Sequence, residues 1–376
     1  MGGVGGGWGG GGAAICVKIP AAVGIDFDFW RGRRVLVTGH TGFKGAWLSL
    51  WLQSLGAELT GIAAGPPSSP SLYGLSAVGS NMREHSLDVR DASAMREALR
   101  GADPEVVLHL AAQPIVRRAF EDPLMTYEVN VMGTANVLDA LRLSPGSARA
   151  VVVVTSDKAY ENPGVAGRRL LEGDRLGGAD PYSSSKACAE LLTDAYRRSF
   201  FTEEDSPRVA TARAGNVIGG GDWGQDRLIP DIVRAVQAGV PLRVRNPHAV
   251  RPWQHVLNPL SGYLLLAEQL WRSPEAARAW NFGPRAEDGR TVSWIVQRAA
   301  ALWEGAFSWE QDERPHPAEA AHLALDSSAA ENDLGWRPAW DLEQALERIV
   351  EWHRAHGQEE DLRALSLAQI DRFAGA

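Results

Sequence analysis

The sequence predicts an α/β fold: a doubly wound parallel sheet with a smaller, mixed α/β lobe at its C-terminal side. Three observations support this prediction. Short apolar runs alternate with amphipathic segments from Arg33 onward, a glycine-rich turn joins the first run to the first amphipathic segment, and the alternation breaks down after about Gly219. Strands that alternate with helices in this rhythm form a parallel sheet with helices on both faces.

Each predicted strand is a short apolar run, of the kind that suits a parallel strand buried on both faces. The first run ends in Gly39. The fifth ends in Ser156, at the carboxyl edge of the sheet where open α/β folds bind ligands. The predicted strands cover residues 35–39, 59–64, 85–89, 106–112, 150–156 and 209–217.

Apolar spacing and capping residues predict the helices. The helix that begins at Phe43 has its apolar residues on one face and stops at Gly56. Asp91 can cap the helix after the third strand, and Asp180 followed by Pro181 opens another helix. Further helices are predicted over residues 123–143, 228–237, 259–271, 292–303 and 342–353.

Composition and charge exclude several classes of protein. The 376 residues are 45% apolar and 22% charged, which is typical of a globular chain. The net charge of −8 argues against nucleic acid or an anionic membrane as the main partner. Two cysteines, Cys16 and Cys188, provide no disulfide framework and no zinc pattern, so no metal site is predicted. No segment reaches the roughly 20 apolar residues of a membrane span, and we expect a cytoplasmic protein.

The glycine-rich turn predicts a dinucleotide site. Glycine occupies the first, fourth and seventh places of the stretch 39–45, between a strand and a helix. Glycine allows the close approach of a pyrophosphate, whose charge is met by free N–H groups and the helix dipole. The second strand ends at Gly65 without the acid or base that would distinguish NAD from its 2′-phosphorylated form. Asp88 can reach the adenine amino group, or is simply a solvated acid.

A second group of residues points to oxidation of a hydroxyl. Tyr182 and Lys186 are four apart on one helix, so we expect the ammonium to stabilise the phenolate and lower the pKa of the tyrosine toward neutrality. Such a tyrosine can remove a proton from a sugar hydroxyl, which Ser156 is placed to hydrogen-bond. Asp157 and Lys158 add an acid and an amine that simple oxidation does not need. A surface pair and a solvated turn are the alternative interpretations.

Together these stretches resemble the extended short-chain dehydrogenase/reductases, and within them the CDP-glucose 4,6-dehydratases, from about Phe29 to the final helix. In the similar dTDP-glucose dehydratases, Thr-Asp-Glu stands where this chain has Ser156-Asp157-Lys158, so the lysine favours the CDP branch. The resemblance implies a Rossmann-type fold and NAD as cofactor. It is carried by residues 39–45, 109–114, 155–162, 213–223 and 251–256.

The resemblance implies an internal redox cycle on CDP-D-glucose. Tyr182 deprotonates the 4-hydroxyl while hydride passes from C4 to NAD⁺, water is eliminated across C5 and C6, and hydride returns to C6. Asp157 would donate the proton to the leaving hydroxide, with a pKa that burial raises and that Lys158 opposes. Lys158 would accept the C5 proton if it is held neutral, unless the two groups share protons as one unit. The product is CDP-4-keto-6-deoxy-D-glucose.

The implied site has three sets of residues. Arg251 is the one nominated for the substrate pyrophosphate, whereas a surface role is equally open for Arg118 and Arg227. The catalytic set is Ser156, Asp157, Lys158, Tyr182 and Lys186. The cofactor-binding set is Gly39, Thr41, Gly42, Phe43, Gly45, Asp88, Val89, Leu110, Ala111, Ala112 and Asn130, with Tyr182 and Lys186. The substrate-binding set is Gln113, Arg118, Asn216, Arg227, Arg251, Trp253 and His255.

Three positions depart from the pattern of the family. Gly65 stands where an aspartate is usual, Asn258 where an acid is common, and Ala318 where a histidine is found. The first of these puts the ribose contact in doubt, though not the binding of the pyrophosphate. None of the three touches the expected proton-transfer centre.

The expected organisation has three parts. Residues 1–28 form a disordered glycine-rich tail, because the run over 1–12 has almost nothing to bury. Residues 29–218 form the NAD-binding domain, and 219–376 form a nucleotide-sugar-binding lobe that is partly interleaved with it. The helices over 123–143 and after Asp180 resemble those that pair subunits in the superfamily, which implies a homodimer or homotetramer.

Two other functions remain open on the sequence. A different nucleotide-sugar 4,6-dehydratase or a 4-epimerase would need the same tyrosine and lysine, although an epimerase has no use for the acid and amine of Asp157 and Lys158. A non-catalytic dinucleotide-sensing protein could lose Tyr182 or Lys186 freely, and both are present.

Overall fold

The structure, a computed structural model, describes residues 23–165, 167–314 and 322–375. The strands are β1 Arg34–Thr38, β2 Glu58–Ala63, β3 Arg83–Ser86, β4 Val106–His109, β5 Ala150–Val154, β6 Arg208–Ala214, β7 Val217–Ile218, β8 Leu242–Val244, β9 Val250–Pro252, β10 Gln254–His255, β11 Ala279–Phe282, β12 Gly289–Thr291 and β13 Trp309–Gln311.

The helices are α1 Phe27–Trp30, α2 Phe43–Ser54, α3 Leu72–Leu75, α4 Ala92–Ala102, α5 Val116–Glu121, α6 Pro123–Tyr127, α7 Gly133–Leu143, α8 Pro181–Phe200, α9 Leu228–Ala238, α10 Leu257–Arg272, α11 Val292–Leu302, α12 Ser328–Asp333, α13 Leu342–Gly357 and α14 Leu362–Ala374. A single π turn, Glu128–Met132, joins α6 to α7, so the helix predicted over 123–143 runs the whole length with one wide turn.

The central sheet has seven parallel strands in the order β11-β6-β5-β4-β1-β2-β3. The chain winds outward from β1 in one direction and from β4 in the other, so a crevice opens between the carboxyl ends of these two strands. Helices α2 and α10 pack on the same core as the apolar side chains of β1 and β5, whereas α4 and α7 pack with the other face. The predicted doubly wound sheet is confirmed.

Several strands end earlier than the apolar runs that predicted them. The edge strand β3 stops at Ser86 rather than at residue 89, because Asp88 turns the chain by accepting a hydrogen bond from the Arg90 N–H at 2.9 Å. The predicted strand over 209–217 is split into β6 and β7. The split falls at Gly215, where a Cβ atom would lie 2.6 Å from the Pro252 side chain.

The N-terminal boundary of the folded chain lies earlier than the sequence predicts. The Asp26 N–H and the Trp30 indole N–H both donate to Glu268 Oε1, at 3.0 and 2.8 Å. The predicted disordered tail over 1–28 is therefore wrong for the residues next to α1. The glycine run itself and Cys16 lie outside the described residues.

The C-terminal part of the chain is interleaved with the sheet. Strand β11 pairs with β6 at the edge of the central sheet, and α10 packs against β5 and β6. A second core joins α9, α11 and α13 to the short strands β7 and β8. Helix α14, which the sequence did not predict, packs on α2 through Phe373 and Trp51, whose ring centroids are 5.5 Å apart. Ala318 lies outside the described residues.

Candidate active site

Glycine lets the backbone of the loop pack closely against its neighbours, where a side chain would collide with them. Gly39 has φ of +75°, and a Cβ there would lie 2.8 Å from the Ala111 nitrogen. A Cβ on Gly45 would lie 2.1 Å from the Gly39 oxygen. Gly42 is the N-cap of α2 and brings no capping side chain, so the first N–H groups of the helix face the loop. Thr41 Oγ1 donates to the Gly65 carbonyl at 2.8 Å and ties the loop to the end of β2.

A buried hydrogen-bond chain fixes β4 against the loop. The Leu110 and Ala111 N–H groups both donate to Thr38 Oγ1 at 3.1 Å, which leaves the Thr38 hydroxyl proton for His109 Nδ1 at 2.7 Å. Burial lowers the pKa of His109 to about 3, so the imidazole is neutral and donates through Nε2 to Thr134. The predicted cofactor residues 110–112 are thereby held beside the glycines.

The stretch that follows β5 forms a tight turn carrying the acid. Ser156 Oγ donates to Asp157 Oδ1 at 3.0 Å and accepts from the Lys158 N–H at 3.2 Å. Asp157 is 2% exposed, and its Oδ2 has no hydrogen-bond partner among the described residues. Burial raises the pKa of Asp157, and the charge of Lys158 opposes it without reversing the direction. Asp157 is therefore a carboxyl group that can hold a proton.

Helix α8 brings the tyrosine and the lysine to the same place. Asp180 caps it by accepting from the Ser183 N–H at 2.9 Å. Lys186 is buried and its Nζ donates to the Val154 carbonyl at 3.4 Å, while the Lys158 ammonium lies 5.8 Å from the Tyr182 ring centroid. Burial lowers the pKa of Lys186 to about 8. The structure thus brings all five predicted catalytic residues together.

The pKa of the tyrosine differs from the prediction. Burial raises the pKa of Tyr182 to about 12, whereas the sequence predicted a fall toward neutrality. The influences that lower it are a hydrogen bond with Ser156 and the charge of Arg227, not the ammonium of Lys186. The cost of burying the charged phenolate outweighs stabilisation by Lys186, because burial also disfavours the charged form of that lysine.

Two residues of this centre were not predicted. Lys44 Nζ donates to Tyr263 Oη at 3.5 Å, and burial together with the charge of Lys186 lowers the pKa of Lys44 to about 8. Tyr263 is fully buried on α10. Lys44 could have been predicted, because it stands inside the glycine-rich stretch 39–45. Tyr263 could not, because nothing in the sequence distinguishes it from the other residues of an apolar helix.

Two of the predicted substrate residues, Arg227 and Arg251, lie near the acid and the tyrosine. Arg227 pairs with buried Asp222 at 3.0 Å. Arg251 is buried in β9, and its charge lowers the pKa of Asp157 against the effect of burial. Asn216 lies between β6 and β7, and its backbone carbonyl accepts the Gln254 N–H at 3.2 Å. Two cationic side chains thus act on the centre from the second lobe.

Two predicted substrate residues lie in cores instead. Trp253 is 6% exposed and packs with the second core rather than lining the crevice. His255 is fully buried between Trp47 and Trp340, with ring centroids 6.0 and 4.9 Å away. Burial lowers the pKa of His255 to about 3. The structure brings neither residue to the centre, because both side chains are packed in buried cores.

Gln113 and Arg118 also differ from their predicted roles. The Gln113 side chain makes its hydrogen bonds close to its own loop. Its Nε2 donates to the Ile115 carbonyl and to Thr126 Oγ1, both at 3.0 Å, and its Oε1 accepts the Ile115 N–H at 2.6 Å. Arg118 is exposed on α5. The neighbouring Arg117 is the one that pairs with Asp226, at 3.0 Å.

Five further positions have clear structural contacts. Asn130 lies in the π turn, accepts the Gln113 N–H at 2.8 Å and donates to Ser185 Oγ at 2.8 Å. Asp88 is paired with Arg90 at 2.8 Å, and Val89 is buried. The Asn258 amide donates to the Trp340 carbonyl at 2.8 Å, which is a packing role. Phe43 packs against the first core at the start of α2.

The part of the chain that the structure describes contains no group of three or more residues suited to hold a metal ion. It also contains no helix with the length and apolarity of a membrane span.

The chain is similar to known nucleotide-sugar enzymes. A family model described as GDP-mannose 4,6 dehydratase matches residues 36–349. A CDP-glucose 4,6-dehydratase of Salmonella typhimurium is 47% identical over 358 residues, which cover 94% of this chain and 99% of that protein. A dTDP-glucose 4,6-dehydratase of Xanthomonas campestris pv. campestris is 26% identical, covering 85% of this chain and 92% of the relative.

Solved structures share the fold. A dTDP-glucose 4,6-dehydratase from Streptomyces venezuelae, crystallised with NAD bound, superposes with a TM-score of 0.72 at 23% identity, covering 87% of this chain and 99% of that one. A UDP-glucose 4-epimerase from Thermotoga maritima, solved with UDP-glucose, gives a TM-score of 0.73 at 21% identity, with coverage of 86% and 99%.

Proposed function

Because the chain belongs to the GDP-mannose 4,6-dehydratase family, we propose that it is an NAD-dependent dehydratase that converts CDP-D-glucose to CDP-4-keto-6-deoxy-D-glucose and water. The observation that supports the proposal best is the buried Oδ2 of Asp157, which has no hydrogen-bond partner among the residues the structure describes and lies in the same turn as the serine that bonds Tyr182. Removing a hydroxyl group requires such a protonated carboxyl beside the base that oxidises the sugar.

The glycine loop fits a dinucleotide. A Cβ on Gly39 or Gly45 would collide with neighbouring backbone, so glycine lets these segments pack closely, and the N-cap Gly42 leaves the first N–H groups of α2 without a capping side chain and available to a pyrophosphate. Gly39, Thr41, Gly42 and Ala111 would hold the cofactor. When bound, NAD supplies a hydride acceptor for the first step and a hydride donor for the last.

In the oxidation step, the phenolate form of Tyr182 takes the proton of the sugar 4-hydroxyl as hydride leaves C4. The Ser156 hydroxyl orients that oxygen, and the charge of Arg227 favours the phenolate. Burial of the phenol makes it a strong base once it has lost its proton.

In the elimination step, the C4 ketone acidifies the C5 proton, which passes to Lys158 in its deprotonated, neutral amine form. The C6–O bond breaks, and Asp157 gives its proton to the leaving hydroxide, so one water departs. Asp157 can hold that proton because burial raises its pKa. The cations Arg251 and Arg227, with Asn216, would bind the diphosphate of the substrate.

The test is a product assay on the purified full-length protein with CDP-, dTDP-, UDP- and GDP-glucose. We expect a 4-keto sugar, detected by its absorbance in alkali, with CDP-glucose as the best substrate. If no keto sugar forms from any of the four while NAD is bound, the dehydratase proposal is wrong. Conversion of the glucose to its 4-epimer without a keto product would identify an epimerase.

We also propose that two copies of the chain associate through the outer faces of α6, α7 and α8. Leu124, Met132 and Leu191 are 75%, 54% and 60% exposed there, which is unusual for large apolar side chains. Light scattering at micromolar concentration should report about twice the chain mass of 40.6 kDa, or four times if dimers pair. A mass equal to one chain would contradict this.

We further propose that residues 29–218 carry the cofactor and 219–376 the sugar nucleotide, with α10 and β11 of the second part built into the first. The positions of Arg251 and Arg227 in the second part support this division. A cytoplasmic location is part of the proposal, in keeping with two cysteines in 376 residues.

A further inference from the structure

We propose that Glu190 and Arg213 are positioning residues that hold the turn 156–159 against the helix carrying Tyr182 and Lys186. The inference rests on the function proposed above, because it assigns the pair to that reaction. It derives from a buried ion pair outside the proton-transfer groups. Arg213 NH2 donates to Glu190 Oε2 at 2.8 Å, and the two side chains are only 4% and 3% exposed.

The ion pair holds both ends of the turn. Thr155, the residue before the turn, donates its hydroxyl proton to Glu190 Oε1. Tyr160, the residue after the turn, accepts a hydrogen bond from Arg213 NH1 at 2.7 Å. Each flank of the segment that contains Asp157 is thus bonded to one member of the same pair.

The pair also belongs to the elements that face the turn. Glu190 follows Lys186 by one helical turn on α8, and its charge favours the protonated form of that lysine. Arg213 lies in β6, two residues before Gly215, where a Cβ would come within 3.0 Å of Asp157 Oδ2. Helix α8, the turn 156–159 and strand β6 are therefore all connected through the same buried ion pair.

Stability alone is a poor reason for this pair. Burying two charges costs about as much as their attraction returns, and apolar residues of similar volume often stabilise a core better. Arg213 Nε is buried without a hydrogen-bond partner among the described residues, so the pair is not fully satisfied. Its geometric effect on the turn is the feature that an apolar pair would not reproduce.

The test cuts the bonds to the turn while the ion pair stays in place, because removing one charge of a buried pair can unfold a protein. Thr155→Val and Tyr160→Phe each remove one such bond. Thr193→Val is the matched control, since Thr193 is a buried threonine on α8 whose hydroxyl bonds the Ala189 carbonyl at 2.7 Å and no other described group.

In both variants we expect formation of the keto sugar from CDP-glucose to fall by about tenfold to 100-fold, the effect of a small displacement of a reacting group. The KM for CDP-glucose should stay unchanged. Reduced cofactor should accumulate during turnover, because the turn serves elimination more than it serves oxidation. Hydrogen exchange of the amides over 155–160 should become faster, whereas Thr193→Val should match the wild type in all readouts.

An equal loss of cofactor reduction and product formation would show a general structural role and overturn the inference. Unchanged exchange over 155–160 in Thr155→Val and Tyr160→Phe would overturn it as well. Failure of the proposed function is a separate result: the wild type would then make no keto sugar, while the exchange experiment would still report whether the pair holds the turn.

Discussion

Replacing Tyr182 by phenylalanine is expected to abolish cofactor reduction and, with it, all product formation. The phenolate oxygen of Tyr182 is the group that receives the proton of the sugar 4-hydroxyl, and phenylalanine keeps the ring without the oxygen. Loss of a general base of this kind lowers rates by about 10²–10⁴-fold. Stopped-flow absorbance of reduced nicotinamide after mixing with CDP-glucose measures this first step directly.

The matched control is Tyr196→Phe, which removes a hydroxyl from a tyrosine on the same helix, away from the turn. Burial also raises the pKa of Tyr196, but its partner is Asp139, which lies on α7. This variant should reduce cofactor at the wild-type rate. Reduction at an undiminished rate in Tyr182→Phe would instead mean that another group, such as Lys44 beside Tyr263, is the base.

Replacing Asp157 by asparagine is expected to stop the reaction one step later. Oxidation at C4 should proceed, because Tyr182, Lys186 and Ser156 are all retained. Loss of water should fall by about 10²–10⁴-fold, because asparagine cannot donate a proton to the leaving hydroxide. Reduced cofactor should accumulate in proportion to enzyme and decay slowly. Equal loss of both steps would refute this division of roles.

Stability measurements show whether Asp157→Asn acts on chemistry alone. Burial raises the pKa of Asp157 above its unfolded value of about 3.9, so the folded protein binds this proton more tightly than the unfolded chain. At low pH the carboxyl group is neutral and does not lower the free energy of unfolding. As the pH rises through its folded pKa, the buried group becomes charged and lowers that free energy. Asparagine carries no such penalty, so at pH 7 the variant should unfold at the same temperature as the wild type or higher.

The sequence predicted the sheet well, because alternation of apolar runs and amphipathic helices is a local property. Strand ends were less accurate. The edge strand β3 stops at Ser86 because a side-chain contact between Asp88 and Arg90 turns the chain, and apolarity does not encode such a contact. Strand β11 was not predicted to join the central sheet, since its partner β6 is about 70 residues away in sequence.

The proton-transfer centre was also predicted, since its residues follow directly on strand and helix ends. The sequence predicted that burial would raise the pKa of Asp157 and that Lys158 would oppose this effect. In the structure the effect of burial is the larger of the two. The predicted direction of the pKa shift of Tyr182 was wrong, because the depth to which the phenol is buried depends on the second lobe. Trp253 and His255 were assigned to the crevice by their motif, but the aromatic neighbours that enclose them come from elsewhere in the chain.

The position of β11 has a consequence for biosynthesis. Residues 279–282 complete a sheet whose other strands have all been made by residue 214, so β6 remains an open edge while the ribosome adds the intervening segment. Unpaired edges of parallel sheets attract other strands, which makes this interval the one in which the nascent polypeptide most needs a chaperone. The protein is thus most prone to aggregate before the last quarter of it exists.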